Sequence, residues 1–590
     1  MAPGSVSTFG RPGATDMPPM IEVELKFQVP ADARRTVEAA VARGASQRTR
    51  LQAIYFDTPD RRLAAAGIAL RLRKEGRRWV QTAKAVGTDA MQRLEHNVPL
   101  AGTLAIPAGT LPGADWQRHA GTPVGDRLAE ALAPRKSDQT APLLLAHYRT
   151  DIWRRHRPLR TTSGWVELAF DSGYLIAGDL RQPVCELEIE LLRGQPGAVI
   201  DVARRWVERY GLWLDVRSKA LRGDRLARGV ARGPVVKASP VTLDRGMSVD
   251  AARHAVIANC LQQILPNASE VASEVASEVA SEVASEVASE VAAEMAAKME
   301  SEAGSDETGE PAVGAATGDG GESHVHQLRI GLRRLRTALR FFDRWTPPVD
   351  PAWAESLTRL FRELGVARDR DALAASLLPA LRKAGAPLFE LPPAPPGPTP
   401  AELLRAPEAT LALLTSLALQ IQALAPRTAI ARAEASPQTI DKTPPLAQAT
   451  ARRLDRWYRR IARAAKRYAT LSDAERHHVR KRVKRLRYAA EFIATLYDAK
   501  AVARYLARLA PLQEGLGRYN DLCVGLEMYR AAVGDDPRAW FAIGWLVARR
   551  DKLLAESTKA LERFAGAKPF WKVGKVKRRM KRRRAGNRHV

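Results

Sequence analysis

Glu22, Glu24 and Lys26 recur at intervals of two in the stretch Ile21–Phe27. A strand there would put all three on one face and Ile21, Val23, Leu25 and Phe27 on the other. Further rows of polar and charged residues keep the same period: Arg71 and Arg73, Thr82 and Lys84, Arg93 and Glu95, then Glu186, Glu188 and Glu190. A sheet with so many charged faces is either wetted outside or closed around a polar tunnel. Carboxylates in such rows are hard oxygen ligands, suited to Mg2+ or Mn2+ rather than Zn2+, and none of the rows includes His or Cys. Arginines and lysines beside them can neutralise a phosphate-type anion, arginine through paired contacts that lysine cannot make.

A second pattern has helical spacing. His326, Arg329, Arg333, Arg336 and Arg340 advance by three and four residues, which gathers them on one helix face. His477, Arg480, Lys484 and Arg487 repeat the row 151 positions later. Leu364-Gly365 and Leu516-Gly517, each followed by a polar pair ending in Asp369 or Asp521, recur at nearly the same offset. Two unlike motifs repeated in one order indicate duplication, hence two similar helical bundles. Like charges at this spacing repel by a few tenths of a kcal/mol per pair, so such a row calls for a polyanion or for carboxylates to answer it.

The first set of motifs resembles the CYTH family, the triphosphate tunnel metalloenzymes. Glu22-x-Glu24-x-Lys26 is followed in order by Tyr55-Phe56-Asp57-Thr58-Pro59, Leu70-Arg71-Leu72-Arg73, Lys84, Arg93-x-Glu95, Tyr148-Arg149, Glu186-x-Glu188-x-Glu190 and Ser218-Lys219. The resemblance spans 17–230 and implies an antiparallel eight-stranded tunnel barrel that hydrolyses inorganic triphosphate with Mg2+ or Mn2+. It implies catalytic roles for Glu22, Glu24 and Lys26, and metal ligation by Glu22, Glu24, Glu188 and Glu190. It implies triphosphate binding by Lys26, Arg71, Arg73, Lys84, Arg149 and Lys219. Glu95 and Glu167 could instead be plain inter-strand ion partners, and His96 and His147 are read as structural or exposed. Family members also include adenylate cyclases and thiamine triphosphatases, but no feature that would hold an adenine ring stands out.

The duplicated helices resemble the CHAD family, over 247–565. That family is associated with inorganic polyphosphate, which implies binding by His326, Arg329, Arg333, Arg336, His477, Arg480, Lys484 and Arg487. Gly331, inside the first basic helix, either lets a phosphate chain approach the backbone or is tolerated at a cost of about 1 kcal/mol relative to Ala.

Composition agrees with two or three domains: 590 residues are too many for a single core, and 45% are hydrophobic. A net charge of +28 calls for an anionic partner. Nucleic acid is an alternative to polyphosphate, although zinc-finger spacing, RNP aromatics and a KH-type GxxG are absent from the sequence. A third reading is a non-catalytic polyphosphate-binding protein. Cys185, Cys260 and Cys523 lie far apart, which suits a reducing compartment, and neither an apolar leader nor a membrane span is expected. The expected location is the cytoplasm, with polyphosphate granules as a further address.

The chain is predicted to be multidomain α+β. Residues 1–16 read as a disordered leader, 17–230 as the barrel and 231–246 as a linker. Residues 247–565 read as an all-α domain of two bundles related by a pseudo-twofold, and 566–590 as a basic disordered tail. Two insertions are expected, 268–321 and 386–448. The first opens with a tandem Ala-Ser-Glu-Val repeat whose four-residue period drifts about 40° per repeat around a helix. Its valines keep no common seam, so it reads as solvated. The second is Pro-rich at its start.

Overall fold

The computed structural model describes residues 20–76, 78–87, 89–100, 113–135, 143–274, 323–387, 397–421 and 445–575. They divide into two compact units, 1–233 and 234–590. The expected leader, most of the Ala-Ser-Glu-Val repeat, the Pro-rich stretch and the tail beyond 575 lie outside the described residues.

In the first unit, eight strands form an antiparallel ring: β1 (Met20–Gln28), β2 (Gln47–Asp57), β3 (Ile68–Glu75), β4 (Arg78–Val86), β5 (Gln92–Leu100), β6 (Leu145–Arg160), β7 (Gly164–Ala177) and β8 (Leu180–Gly194). The order is β5-β4-β3-β2-β6-β7-β8-β1, and β1 closes it. Its first half pairs with β5 (Glu22 opposite Arg93) and its second half with β8 (Lys26 opposite Glu188). A two-residue strand not foreseen from the sequence, β9 (Trp213–Leu214), adds to the end of β1. β6, β7 and β8 run longer than alternation alone predicts. β7 runs on through Ser172-Gly173 to Ala177. A Cβ at Gly173 would stand 2.1 Å from the Asp151 carbonyl oxygen, so the glycine serves close strand approach rather than a break.

The barrel is apolar outside and charged inside. Leu25 and Phe27 of β1 and Leu187 and Ile189 of β8 are buried on the outer face. There α4 (Gly197–Tyr210) covers them with Val199, Val202, Ala203 and Val207, all buried. α1 (Arg34–Val41) lies on β6 and β7, and α3 (Pro123–Ala131) on β4 and β5. With the outer face occupied by helices, the charged residues of each strand are left facing the lumen. Asp57 ends β2 by accepting hydrogen bonds from the backbone of Thr58, Leu63 and Ala64, which caps the single turn α2 (Arg62–Ala65). The Asp57-Thr58-Pro59 motif is therefore structural here. α5 (Lys219–Ala227), capped by Ser218, packs on β6, β7 and β8.

The second unit is helical: α6 (Val249–Ala272), α7 (His324–Phe342), α8 (Pro351–Lys383), α9 (Pro400–Arg405), α10 (Pro407–Ile421), α11 (Leu446–Ala465), α12 (Asp473–Phe492), α13 (Ala499–Ala532) and α14 (Ala539–Ala565). The duplicated motifs fall on α7 and α12, and on α8 and α13. α6 packs along α7, α13 along α14, and α12 touches α7.

Four expected boundaries are corrected. α6 continues to Ala272, so the first repeat, Ala268–Val271, is buried core and not part of a solvated insertion. Leu261, Ile264, Leu265, Ala268, Val271 and Ala272 keep a 3.6-residue stripe there, before the four-residue drift accumulates. The span 386–448 is not a single insertion, because α9 and α10 bury Leu404, Leu413, Leu414 and Leu417. The linker 231–246 is packed over its second part: Val241 and Leu243 are buried, Leu243 N donates to Thr495 Oγ1 (2.9 Å), and Arg245 donates to the Leu496 carbonyl (2.9 Å). The tail begins later than 566, since Phe570 and Trp571 are buried against Tyr505.

Candidate functional site

Strand register decides which side chains meet. Directly opposed residues in an antiparallel sheet share a face. Glu22 opposes Arg93, Lys84 opposes Glu95, Glu190 lies between Glu24 and Glu167, and Glu188 opposes Lys26. Arg154 opposes Asp171, which opposes Glu186. Tyr55 opposes both Arg71 and Tyr148. All of these belong to one continuous inner face.

At one level of the lumen, carboxylates crowd a single ammonium. Lys84 Nζ lies 2.6 Å from Glu22, 3.3 Å from Glu24 and 3.3 Å from Glu95. Glu190 adds a further carboxylate beside Lys84, and Arg93 Nε stands 3.8 Å from Glu24. Lys26 also acts on Glu24 and Arg71 on Glu95, but for Glu22 and Glu190 the cation that acts is Lys84, already shared with the other two acids. Burial, with neighbouring carboxylates, pushes Glu22 up to about 8 and Glu190 up to about 7, against the pull of Lys84. Glu24 is held low: burial opposes ionisation, but Lys84 and Lys26 outweigh it. The donors are all carboxylate oxygens, the set a hard divalent cation prefers, and the site is short of the positive charge such an ion would bring.

Across the lumen the balance reverses. Arg71 donates to Tyr55 Oη at 3.2 Å, and Arg73 is tied to Glu75. Burial lowers Arg73, and Arg71 and Arg154 add to the shift by repulsion. Three buried guanidiniums so close together form a receptor for anionic oxygens. Tyr55 stacks on Tyr148 with ring centroids 4.6 Å apart, which fixes the hydroxyl that Arg71 holds.

At the end covered by α5, acids and bases are matched. Carboxylate oxygens of Asp171, Glu186 and Glu188 lie within 4.8 Å of one another. Lys219 reaches Asp171 (2.7 Å), Glu188 (2.9 Å) and Glu186; Arg154 reaches Asp171 (2.6 Å) and Glu188 (2.5 Å); and Arg222 pairs with Glu186. This triad already has its counter-charge. It braces Arg154 and Lys219 and is a poorer place for a metal than the Glu22 cluster.

Of the residues expected in the tunnel, Glu22, Glu24, Lys26, Arg71, Arg73, Lys84, Glu188, Glu190 and Lys219 are together on the inner face or at its α5 end. Two of the expected residues are placed differently from the rest. Arg149 has the opposite parity: it shares the outer face with Asp151 and Trp153 and is exposed. Glu188, expected as a metal ligand, is engaged by Lys26 (3.7 Å), Arg154 and Lys219. The sequence reading missed Arg154, Asp171 and Arg222, and left Glu95 open. Arg154 sits inside Trp153-Arg154-Arg155-His156, where charge does not alternate; counting by two from Tyr148 would have found it. His96 and His147 are structural, the first bonded to the buried His119 (3.0 Å), the second to the Asp57 carbonyl (3.2 Å).

In the helical unit the two basic rows face each other. Arg329, Arg333 and Arg336 of α7 place their guanidiniums 5.3, 5.3 and 5.1 Å from the ring centre of Phe361 on α8. Lys484 of α12 is lowered to about 7 by burial and by Arg480 and Arg333. Arg485 is lowered to about 10 by burial and by Arg340 and Arg336. Among the described residues, Arg333, Arg336, Arg340, Lys481, Lys484 and Arg485 have no carboxylate within ion-pair distance. Arg487 differs, being paired with Glu491 (2.7 Å) and Gln513 (2.6 Å). His477 is hydrogen-bonded to Asn520 of the second repeated motif, and His326 lies in the first turn of α7. Gly331 has a packing role: a Cβ there would stand 2.6 Å from Ile264 Cγ1 on α6, so it faces a helix and not a ligand.

The family model of the CYTH domain matches residues 20–223, and that of the CHAD domain matches residues 310–530. The chain carries a CYTH domain followed by a CHAD domain. A protein of Haemophilus influenzae named inorganic triphosphatase is 27% identical over 175 residues, 29% of this chain and 44% of the relative. The chain thus spans less than half the length of that curated relative. Among solved structures, the CHAD domain of Ricinus communis is 24% identical with a TM-score of 0.39, covering 57% of this chain and 98% of that one. A Hippeastrum adenylyl cyclase candidate, described as having a dominant triphosphatase activity, is 16% identical with a TM-score of 0.25, covering 35% and 96%. Among the described residues no helix is long and apolar enough to cross a membrane.

Proposed function

We propose that the CYTH barrel hydrolyses inorganic triphosphate with Mg2+ or Mn2+, and that the basic face of the CHAD domain binds inorganic polyphosphate. The observation that carries the first part is the juxtaposition, on one inner face, of a carboxylate cluster short of positive charge and a cluster of buried guanidiniums. When bound, the divalent cation would neutralise phosphate oxygens and make a ligated water more acidic. Glu22, Glu24 and Glu190 would hold it, with Glu95 keeping Lys84 in place. Arg71, Arg73 and Arg154 would grip the anionic oxygens in pairs, and Lys26 and Lys84 would add point charges. Glu24, kept ionised by its lysines, is the group suited to accept a proton from the attacking water. Asp171, Glu186 and Glu188 would orient Arg154 and Lys219. The inorganic substrate is also the one in the name of the Haemophilus relative.

The test is phosphate release from triphosphate by the purified protein. Release is expected with Mg2+ or Mn2+, is expected to stop with chelator, and is expected to fall to background in Glu24→Gln. Metal-independent release, or a Glu24→Gln variant within threefold of the parent, would overturn the assignment. For the second part, what supports the reading is that Arg333, Arg336 and Arg340 of α7 and Lys481, Lys484 and Arg485 of α12 come together with no carboxylate at ion-pair distance among the described residues. Titration with long-chain polyphosphate should show binding that weakens steeply with salt, and Arg333→Ala with Arg336→Ala should weaken it at least tenfold.

A further inference from the structure

An acidic segment directly precedes α7 in the chain. Residues 275–322 carry twelve carboxylates against one lysine, a net charge of −11 in a chain whose total is +28. Glu278, Glu282, Glu286, Glu290 and Glu294 recur every four residues, a spacing of negative charge comparable to the three- and four-residue spacing of positive charge on the two helices. The segment leaves from the end of α6 and returns at Ser323, three residues before His326 opens the basic row. The two attachment points lie at the same end of the α6–α7 pair, because His324 of α7 is hydrogen-bonded to Asn267 near the end of α6 (2.9 Å).

Reach and charge both fit. Half of the segment's length can reach up to roughly 80 Å when fully extended, while the row from His326 to Arg340 spans about 21 Å along α7. Tethering at that distance holds a ligand at an effective concentration in the millimolar range. The surface it meets is under-neutralised: Arg333, Arg336, Arg340, Lys481, Lys484 and Arg485 have no carboxylate partner among the described residues.

We propose that residues 275–322 dock on the basic face of α7 and α12 as an intramolecular polycarboxylate, and so compete with any external polyanion for it. The contact itself stands on charge and tethering; its effect on polyphosphate rests on the polyphosphate-binding reading above. The consequence is a threshold. A short or weakly charged polyanion cannot displace the tethered carboxylates, whereas a long chain with about one charge per phosphate can.

The experiment uses the full chain and a variant with Glu278, Glu282, Glu286, Glu290 and Glu294 each changed to Gln. Carbodiimide coupling, which joins a carboxylate to an amine in direct contact, is read by mass spectrometry with and without long-chain polyphosphate. Polyphosphate affinity is measured by titration on both proteins, with circular dichroism as the folding control. The expected result is cross-links from Glu278–Glu294 to Lys481 or Lys484, lost when polyphosphate is added, and roughly tenfold tighter polyphosphate binding by the variant. Absence of those cross-links overturns the proposal, even if affinity rises, because loss of negative charge alone then accounts for the gain. Cross-links that persist in excess polyphosphate also overturn it. Cross-links in a protein that binds no polyphosphate, parent and variant alike, uphold the docking and refute the polyphosphate reading instead.

Discussion

Glu22 and Lys84 meet across the lumen at 2.6 Å, yet this contact does not suffice to keep Glu22 ionised: burial and the nearby Glu95, Glu190 and Glu24 push it up to about 8. Glu22 is therefore largely protonated at neutral pH without added cation. Its carboxyl has an ordinary value near 4.5 once unfolded, so between about pH 4.5 and 8 the unfolded chain holds fewer protons than the folded one. Stability of the metal-free protein from this group must then fall as pH rises through that window.

The expected outcome is a melting temperature in chelator that drops between pH 6 and pH 8.5 by more in the parent than in Glu22→Gln, which cannot ionise. Mg2+ should raise the parent's melting temperature most at the upper end, where the ligands have lost their protons. Identical pH profiles for parent and variant would show that Glu22 titrates normally.

Arg154 and Arg149 sit five residues apart on β6 with opposite parity. Arg154→Lys should lower kcat/KM for triphosphate by about ten- to a hundredfold, the value of one or two charge-assisted hydrogen bonds. Arg149→Ala should stay within threefold. Lysine keeps a charge between Asp171 and Glu188, so loss of fold is not the cause; a melting curve on each variant verifies this. Equal effects of the two changes would contradict the register.

The alternation in Ile21–Phe27 and Glu186–Glu190 made the charged lumen legible, because period two leaves no choice of face once the other side is apolar. Tyr148–Arg155 was not legible in that way. Polar and apolar residues occur on both sides of β6 there, and only pairing with Asp171 across the sheet tells Arg154 from Arg149. Glu188 and Glu190 look alike in sequence; Lys219 and Arg154, which distinguish them, arrive from elsewhere in the chain. In the helical half, spacing gave the basic rows. The role of Gly331 depends on Ile264 of a different helix, and Phe361, which underlies three arginines, carries no local signal.

Val271 and Val279 occupy equivalent positions in the Ala-Ser-Glu-Val repeat, but Val271 is fully buried at the end of α6. Val271→Ser should lower the melting temperature by several degrees, as expected when a buried apolar group is replaced by a hydroxyl. The same change at Val279, outside the described residues, should shift it by about 1 °C or less. Thermal unfolding of the two single variants checks this. Equal losses would mean that the apolar stripe extends past the first repeat.

Lys484 makes the polyphosphate reading sensitive to pH. Burial, with Arg480 and Arg333, lowers it to about 7, while Asp521 pulls the other way. At pH 7 it is therefore roughly half charged, and a bound polyanion would favour the charged form. Binding above pH 7 must then be accompanied by proton uptake, so affinity should weaken as pH rises from 7 to 8.5. Folding is linked with the opposite sign. The unfolded chain keeps this lysine protonated to about pH 10.4, so between 7 and that value it holds more protons than the fold, and stability from this group rises with pH. Lys484→Arg keeps the charge throughout and should flatten the affinity profile, binding more tightly than the parent at pH 8.5 and about equally at pH 6. Titrating long-chain polyphosphate into both proteins at pH 6, 7 and 8.5 and at fixed ionic strength decides it, with calorimetry in two buffers of different ionisation enthalpy counting the protons taken up. A parent whose affinity is level across that range, with no proton uptake, would place Lys484 outside the contact and leave the arginines of α7 to carry it.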